Sequence, residues 1–265
     1  MWWHYHKLLG SLPFIPLLKN NIEDFSINMR KLIVLLFFAF IIKGYSQRSK
    51  NIFSRDPIIN LENFQKKRLY YGFYLGFNSY DFKIDYKTVG PDILINKTTG
   101  FNVGIVGDLK LQEYINLRFE PGLYYTKRDL YYPPNPNFTK NSDAIREVNS
   151  TYIHFPLLLK FSSMRTGNIR PYLLGGASAT LNLSSNAKLT DDNLEQRFRV
   201  KSWTTNYELG LGIDLFSEYF IFSPSIRGIF GINDELIRDK DPNSPWTSNI
   251  ESLKTRAVFI NFTFH

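Results

Sequence analysis

Residues 68–84 read RLYYGFYLGFNSYDFKI, a stretch that alternates between two kinds of side chain. Its odd-numbered positions from Leu69 to Phe77 are all apolar, whereas two glycines and Asn78 are among the even-numbered positions. Successive side chains of a β-strand point to opposite faces, so the pattern predicts a strand with one apolar face. The final stretch, RAVFINFTFH at residues 256–265, repeats the alternation.

Eight such segments follow one another from residue 68 to the C-terminus. We predict strands near residues 68–84, 98–111, 115–131, 149–163, 169–184, 204–217, 219–232 and 253–265. The gaps between them alternate between long and short, beginning with a long one. Outer-membrane barrels combine an even number of antiparallel strands with short periplasmic turns and long external loops. The sequence therefore predicts an all-β fold, an eight-stranded antiparallel transmembrane β-barrel with four long external loops.

The chain before the barrel divides into three segments. Residues 29–46 have the order of a secretory signal peptide: a basic start, an apolar run (LIVLLFFAFII) and small residues before a cleavage site after Ser46. That run is shorter than the ~20 apolar residues of a membrane-spanning helix. We interpret residues 1–28 as an upstream extension from a misassigned start codon, with an unusually long signal region as the alternative. Residues 47–67 are polar, and we predict a periplasmic N-terminal tail there.

Composition limits the cellular compartment in which the protein resides and the classes of partner that it can bind. Residues 47–265 contain 27 Lys and Arg against 22 Asp and Glu, a net charge of +5 that suits contact with anionic lipid headgroups. Export from the cytoplasm argues against a nucleic-acid partner. The absence of cysteine excludes disulfides, thiolate metal sites and thiol nucleophiles. The aromatic content of 16% suits a lipid-facing wall and its interfacial belts. We predict residence in the outer membrane of a Gram-negative bacterium, with outer-membrane lipid as one partner.

The strand face opposite to the apolar one carries charges of both signs. By the alternation, the predicted lumen charge network consists of Asp108, Lys110, Arg118, Glu120, Lys160, Glu208, Asp214 and Arg227. A soluble sandwich would bury apolar residues and leave such charges in water, whereas opposite charges can pair across a narrow barrel. An eight-stranded barrel is only wide enough to be filled by its own side chains. We therefore predict a plugged lumen, which argues against general diffusion of solutes.

Little in the sequence indicates catalysis. Residues 47–265 contain two histidines, His154 on the predicted lumen face and the terminal His265. His154 would be the general base of a lipid hydrolase, but no Ser/His/acid grouping follows from the spacing. No metal-ligand spacing, phosphate-binding glycine loop or nucleotide motif is present. We predict no enzymatic activity, no cofactor and no metal site, and keep a lipid-modifying enzyme that uses His154 as a third hypothesis.

The external loops are the predicted interaction surface, because loops on a rigid scaffold usually carry function. Arginine and tryptophan are frequent anchors at protein interfaces. The candidate partner-binding residues are Arg197, Phe198, Arg199, Trp203 and Trp246. The alternative is that both tryptophans anchor the barrel at the membrane rim.

Several of these segments resemble the PorT family of bacterial outer-membrane barrels. General barrel features are shared by GFYLGFNSYDFKI and NYELGLGIDLF, and the more discriminating strings are TYIHFPLLLKF, RTGNIRPYLLGG and DPNSPW. The likeness covers most of residues 68–265. It is closer to the branch that belongs to the type IX secretion machinery, called SprT in gliding bacteria. The chain departs from many barrels in ending on His265 rather than on an aromatic residue.

The resemblance implies an accessory, non-enzymatic outer-membrane component needed to export cargo proteins that carry a C-terminal sorting domain, and in some species for gliding. It implies protein partners in a secretion complex and no catalytic residues. The alternative is a stand-alone small barrel that binds a ligand or a surface partner through its loops.

Overall fold

The computed structural model describes residues 60–61, 67–138, 140–187 and 198–265. These residues fall within one compact unit, Ile58–His265. The predicted signal peptide, the upstream extension, most of the predicted tail and Arg197 lie outside the described residues. Among the described residues, no helix is both long enough and apolar enough to span a membrane.

The described chain forms one antiparallel sheet of ten strands. The strands are β1 (Leu69–Tyr86), β2 (Leu94–Lys97), β3 (Thr99–Lys110), β4 (Ile115–Phe119), β5 (Gly122–Tyr131), β6 (Ile145–Ser162), β7 (Ile169–Asn182), β8 (Trp203–Phe216), β9 (Ile221–Gly231) and β10 (Ile250–Phe264). One 3-10 turn, Asn141–Ala144, precedes β6. Because β1 pairs with β10 on one side and with β3 on the other, the sheet closes into a barrel. The predicted all-β antiparallel barrel is confirmed.

The ten strands cross the barrel wall eight times, because β2 continues into β3 and β4 continues into β5 after a short break. The first break is at Thr98, where the register shifts by one residue, and the second is at Glu120 and Pro121, where the register continues. Proline has no amide N–H and cannot donate to the ladder. The Pro121 carbonyl still accepts a hydrogen bond from the Ile105 amide at 3.1 Å. The structure therefore differs from the eight predicted strands in two ways: it adds β2 before the second predicted strand, and it interrupts the third at Glu120 and Pro121.

The connections distinguish the two ends of the barrel. The three connections at one end, after β3, β6 and β8, are short, whereas those after β1, β5, β7 and β9 are longer. Short turns face the periplasm and long loops face outward in outer-membrane barrels. We therefore call the two ends periplasmic and external.

Exposure alternates along the strands in the sense expected for a membrane wall. On β8, Leu209 and Leu211 point outward and are 58% and 56% exposed, whereas Glu208 and Asp214 point inward and are buried. A water-soluble protein has the opposite arrangement. A continuous exposed apolar surface of this kind is stable against lipid rather than against water. The outward side chains therefore form a lipid-facing apolar band.

Two glycines make room for the ring of Tyr74 inside the barrel. A Cβ atom at Gly104 would lie 2.6 Å from that ring, and one at Gly122 would lie 2.0 Å from its hydroxyl. The Tyr74 hydroxyl donates to the Glu120 carbonyl at 3.2 Å and lies 3.1 Å from the Tyr124 hydroxyl. The missing side chains therefore allow a buried tyrosine pair to pack inside the barrel.

Candidate functional site

The carboxylate of Glu120 lies between two arginines in the lumen. Arg118 and Glu120 are two residues apart on an extended backbone, so their side chains share the inward face. Nη1 of Arg118 donates to Oε1 of Glu120 at 3.1 Å, and Nη2 of Arg227 on β9 lies 2.8 Å from Oε2. All three residues are at most 2% exposed. Because buried guanidinium groups need counter-charge, Glu120 is the centre of the lumen charge network.

Two further carboxylates extend the network. Asp108 lies directly opposite Arg118 in the β3–β4 ladder and accepts hydrogen bonds from its Nε and Nη2 atoms at 3.0 and 2.7 Å. Asn116 donates to the other oxygen of Asp108 at 2.7 Å. On the far side, Nη1 of Arg227 lies 3.4 Å from Oε2 of Glu208. The network thus joins β3 and β4 to β8 and β9 through the centre of the barrel.

A second charge cluster lies nearer the periplasmic end. Lys160 on β6 donates to both carboxylate oxygens of Asp214 at 2.8 Å, and Arg170 on β7 donates to Oδ2 at 2.8 Å. Ser223 donates to Oδ1 at 2.7 Å. The Lys160 ammonium also lies 4.1 Å from the centre of the Tyr172 ring, a cation–π distance. The side chains close to the periplasmic mouth therefore hold one another in place.

The lumen is filled, and the charges of the two clusters balance. Four carboxylates face four cations: Asp108, Glu120, Glu208 and Asp214 against Arg118, Lys160, Arg170 and Arg227. A cavity of about 20 Å³ remains at the periplasmic mouth, beside Asp108 and His265. That volume accommodates about one water molecule. The structure therefore offers solutes no wide path through its described lumen.

We expect the purified barrel to conduct no ions in a planar lipid bilayer, because paired side chains occupy its lumen. Single-channel recording at both voltage polarities measures this, with a porin reconstituted in the same way as the positive control. Discrete, reproducible conductance steps from the purified protein would contradict a filled lumen.

The structure brings most of the predicted lumen charges together. Those that are buried inside the barrel are Asp108, Arg118, Glu120, Lys160, Glu208, Asp214 and Arg227. Lys110 shares their strand phase but is only half-buried at the periplasmic end of β3. It is therefore more exposed than the seven buried charges.

Three inward-facing arginines were absent from the sequence prediction. Arg128 is fully buried on β5, and its guanidinium lies 3.9 Å from the centre of the Phe82 ring. Arg128 is an even number of residues from Arg118 and Glu120, so the alternation of the strand alone predicts that it points into the lumen. Arg146 and Arg170 lie near the ends of their strands. Whether a side chain points inward or outward is hardest to predict at a strand end, because sequence places strand boundaries only to within several residues.

His154 belongs to a buried hydrogen-bonded group whose contacts resemble those of a hydrolase triad. Its Nε2 lies 2.7 Å from Oε1 of Glu208, and its Nδ1 lies 2.8 Å from the Thr180 hydroxyl. A nucleophilic hydroxyl must reach its substrate. Thr180 is only 5% exposed, and Asn206 donates to its hydroxyl at 2.9 Å. The group therefore ties β6, β7 and β8 together inside the barrel and is not positioned to act on a substrate.

An apolar cluster, which we call the external cap, closes the external end of the barrel. Its buried members are Phe82, Ile93, Leu130, Tyr132, Val148, Phe198, Val200, Leu236, Trp246, Ile250 and Leu253. Each of the four external connections contributes at least one of them. The hydrophobic effect therefore holds these connections against the barrel.

Trp246 joins two of the external connections. Its indole N–H donates to the Asp143 carbonyl at 2.9 Å, and its ring stacks on Phe138 with the centroids 5.8 Å apart. The Arg146 guanidinium lies 4.4 Å from the centre of the Trp246 ring, within cation–π range. Arg146 also donates to the Asp143 and Ile145 carbonyls at 3.1 and 2.8 Å. The β9–β10 connection is thereby fixed to the β5–β6 connection.

Three of the loop residues predicted to bind a partner are buried. Phe198, Arg199 and Trp246 are 3%, 4% and 8% exposed. Arg199 forms an ion pair with Asp239 at 3.0 Å. The two aromatic side chains pack inward because the external cap removes their apolar surface from water. Phe198 and Trp246 are therefore part of the cap, and Arg199 is buried in an ion pair. None of the three forms an exposed partner-binding surface, which corrects the sequence-based expectation for them.

Trp203 has a different position from Trp246. It begins β8 at the external end of the outer wall and is 57% exposed. Its ring stacks on Phe155 of β6, on the far side of β7, with the centroids 6.4 Å apart. An outward tryptophan at the edge of an apolar band has the geometry of an interfacial anchor. For this residue the geometry fits the alternative reading, a membrane-rim anchor.

Two carboxylates organise the β9–β10 connection. Asp234 accepts hydrogen bonds from the Leu253 and Leu236 amides at 2.9 and 3.2 Å. Burial by itself raises the pKa of Asp234, but these amides and Arg238 hold that pKa below its usual range. Burial raises the pKa of Glu235, which accepts hydrogen bonds from the Thr255 amide and hydroxyl. Both carboxylates attach the connection to β10.

A family model described as the outer membrane protein beta-barrel domain matches residues 45–236. The chain belongs to this family. The barrel therefore resides in the outer membrane, where its apolar band contacts lipid. Among proteins of curated function, none matches the chain significantly.

Several solved outer-membrane barrels match the chain at low sequence identity. The outer membrane protein OprG from Pseudomonas aeruginosa is 14% identical with a TM-score of 0.39, and the match covers 74% of this chain and 95% of OprG. The outer membrane protein AlkL, solved in DMPC lipid bilayers, is 15% identical with a TM-score of 0.38, and the match covers 82% and 95%. The attachment invasion locus protein Ail of Yersinia pestis, in complex with the heparin analogue sucrose octasulfate, is 9% identical with a TM-score of 0.33, and the match covers 73% and 96%.

Proposed function

We propose that this barrel is a non-enzymatic accessory component of a type IX protein-secretion apparatus, and that other components of the apparatus dock on it. The observation that carries the proposal is the filled lumen. Because paired charges occupy the interior and the external cap covers one end, the function lies on the surfaces of the barrel. The resemblance of TYIHFPLLLKF and RTGNIRPYLLGG to the PorT family supports the secretion branch. Cargo with a C-terminal sorting domain is then exported with the help of the barrel and not through it.

We propose the same division of the chain that the sequence suggests. Residues 29–46 act as the signal peptide that brings the protein to the periplasm of a Gram-negative cell, and residues 1–28 are an upstream extension. Residues 47–67 form a tail on the periplasmic side. The barrel follows from residue 68.

Contacts of Asn60 support a docking role for this tail. The Asn60 amide donates to Oδ1 of Asn168 at 3.1 Å, and its side chain donates to the Phe216 carbonyl at 3.2 Å. Arg165 donates to the Asn60 carbonyl at 2.6 Å. Asn60 therefore lies beside two periplasmic turns, where a periplasmic partner would meet both the tail and the barrel.

Deletion of the gene should block export of cargo that carries the sorting domain. Immunoblots of culture medium, membranes and periplasm measure the distribution of cargo, and the intact gene supplied in trans should restore export. Normal export from a strain that lacks the protein, when the wild-type protein is found in the outer membrane, would contradict the secretion role.

A complementing His154→Gln allele tests the absence of enzymatic activity. Glutamine retains hydrogen-bonding groups within the buried group around Glu208 and Thr180, so that the barrel is expected to assemble. We expect this allele to restore export and to leave the lipid A structure unchanged by mass spectrometry. A folded His154→Gln barrel that alters lipid A would instead indicate the hydrolase hypothesis.

A stand-alone barrel that binds a ligand or surface partner is the second candidate, because its external surface is preordered. The Thr88 hydroxyl donates to Oδ1 of Asn249 at 2.6 Å, and Lys87 donates to the Ser248 carbonyl at 2.8 Å. These contacts join the first and last external connections. Purification from cross-linked cells separates the two candidates, since a stable assembly with secretion components supports the first and a solitary barrel supports the second.

A further inference from the structure

A strip of charged side chains lies on the outer wall where β1 and β10 leave the apolar band. On β1 the exposed Phe77 is followed on the same face by Asp81 and Lys83. On β10 the outward Val258 is followed, toward the external end, by Arg256 and Lys254. Charges begin on both strands at the same level, because Asp81 pairs with Arg256 in the ladder. The strip therefore lies at the external membrane interface.

Lys83 and Lys254 are direct cross-strand partners. Side chains at such positions have Cβ atoms about 4.5–5.5 Å apart, and like charges directly opposite each other destabilise a sheet. Arg256 adds a third cation on the same face, one outward position closer to the apolar band. An anion bound between these side chains would relieve their repulsion.

Two carboxylates near the strip are already engaged, and one of them pairs with Lys83. Asp81 accepts hydrogen bonds from Lys97 and from the Phe82 amide, both at 2.8 Å. Asp85 accepts one from the Ser252 hydroxyl at 2.7 Å and lies 3.3 Å from Lys83.

Two cations of the strip lack such a partner. Within the described part of the chain, no carboxylate forms an ion pair with Lys254 or Arg256. The Arg256 guanidinium lies instead 5.2 Å from the centre of the Phe230 ring. Its Nη1 donates to the Gly231 carbonyl at 3.5 Å. The strip therefore has a surplus of positive charge at a lipid-facing position.

We propose that Lys83, Lys254 and Arg256 bind a phosphate of a phosphorylated glycolipid in the outer leaflet. The acyl chains of this lipid lie along Phe77, Val258 and the apolar band below them, and its phosphate is level with the three cations. Arginine and lysine are suited to phosphate because their hydrogen bonds to it are charge-assisted. The position on the lipid-facing wall favours a membrane lipid over a soluble anion.

Native mass spectrometry of the full-length barrel in detergent tests this site with bisphosphorylated lipid A as the probe. The variant Lys254→Gln/Arg256→Gln should bind the probe about tenfold more weakly than the wild type, since each charge-assisted contact contributes substantially. Dephosphorylated lipid A should bind weakly and equally to both proteins. The folded state of each variant is checked by heat-dependent migration on electrophoresis.

Lys127→Gln/Lys201→Gln is the matched control, because it removes the same charge from other external positions. Lys127 already pairs with Glu147 at 3.1 Å, and Lys201 donates to the Asp234 carbonyl at 2.7 Å. We expect this control to bind the probe as the wild type does. Equal losses in both double variants would overturn the site, as would binding of dephosphorylated lipid A to the wild type as strong as that of the bisphosphorylated probe. Binding of phosphatidylglycerol or inorganic phosphate as strong as that of the probe would overturn its assignment to a glycolipid.

Discussion

Replacing Glu120 with alanine should lower the free energy of unfolding of the barrel by about 3–5 kcal/mol, the usual cost of breaking a buried ion pair. The Glu120 carboxylate is 3.1 Å from Arg118 and 2.8 Å from Arg227, and neither arginine is more than 1% exposed. Without it, the carboxylate that Arg227 retains among the described residues is Glu208, at 3.4 Å. A buried cation short of counter-charge is costly. Urea-induced unfolding in lipid vesicles, followed by electrophoretic mobility, measures the change.

Glu147→Ala is the matched control for this prediction. Glu147 is exposed on the outer wall and pairs with Lys127, and exposed ion pairs contribute little to stability. The double variant Glu120→Ala/Arg227→Met should recover part of the loss, because it removes the cation whose remaining counter-charge is the more distant, at 3.4 Å. If Glu120→Ala were as stable as Glu147→Ala, the carboxylate would not be the centre of the network. If the double variant recovered nothing, lost packing rather than charge would be responsible.

The lumen was largely predictable because a strand repeats every two residues. Arg118 and Glu120 share a face by that rule alone, and the closed sheet then brings Arg227 to them from another strand. The strand register is the same before and after the interruption at Pro121, so even-numbered residues point into the lumen on both sides of it. Sequence alone did not specify which charges pair, because pairing depends on which strand lies across the lumen.

The external cap was not predictable in the same way. Phe198 and Trp246 are in connections that have no strand period, and their exposure depends on contacts with distant parts of the chain. Phe198 lies 6.3 Å from Phe82, which is far from it in sequence. A basic and aromatic loop therefore has the same composition whether it binds a partner or packs on the barrel. Only tertiary contacts distinguish the two.

Replacing Trp246 with alanine should destabilise the external cap by about 3–5 kcal/mol, the range for truncation of a large buried aromatic residue. The substitution removes the contacts of the ring with Phe138 and Arg146 and the hydrogen bond to the Asp143 carbonyl. The β5–β6 and β9–β10 connections then lose a shared anchor. Protease treatment of intact cells, followed by immunoblot, should show faster cleavage within these connections.

Trp203→Ala is the control, because Trp203 is exposed on the outer wall and the cap does not depend on it. Cleavage of the external connections at the wild-type rate in Trp246→Ala would contradict the role of Trp246. The lumen charge network lies deeper in the barrel, so the variant should still conduct no ions. If Trp246→Ala also exports cargo normally, an ordered external end is dispensable for secretion. The docking surface would then be the outer wall or the periplasmic end beside Asn60.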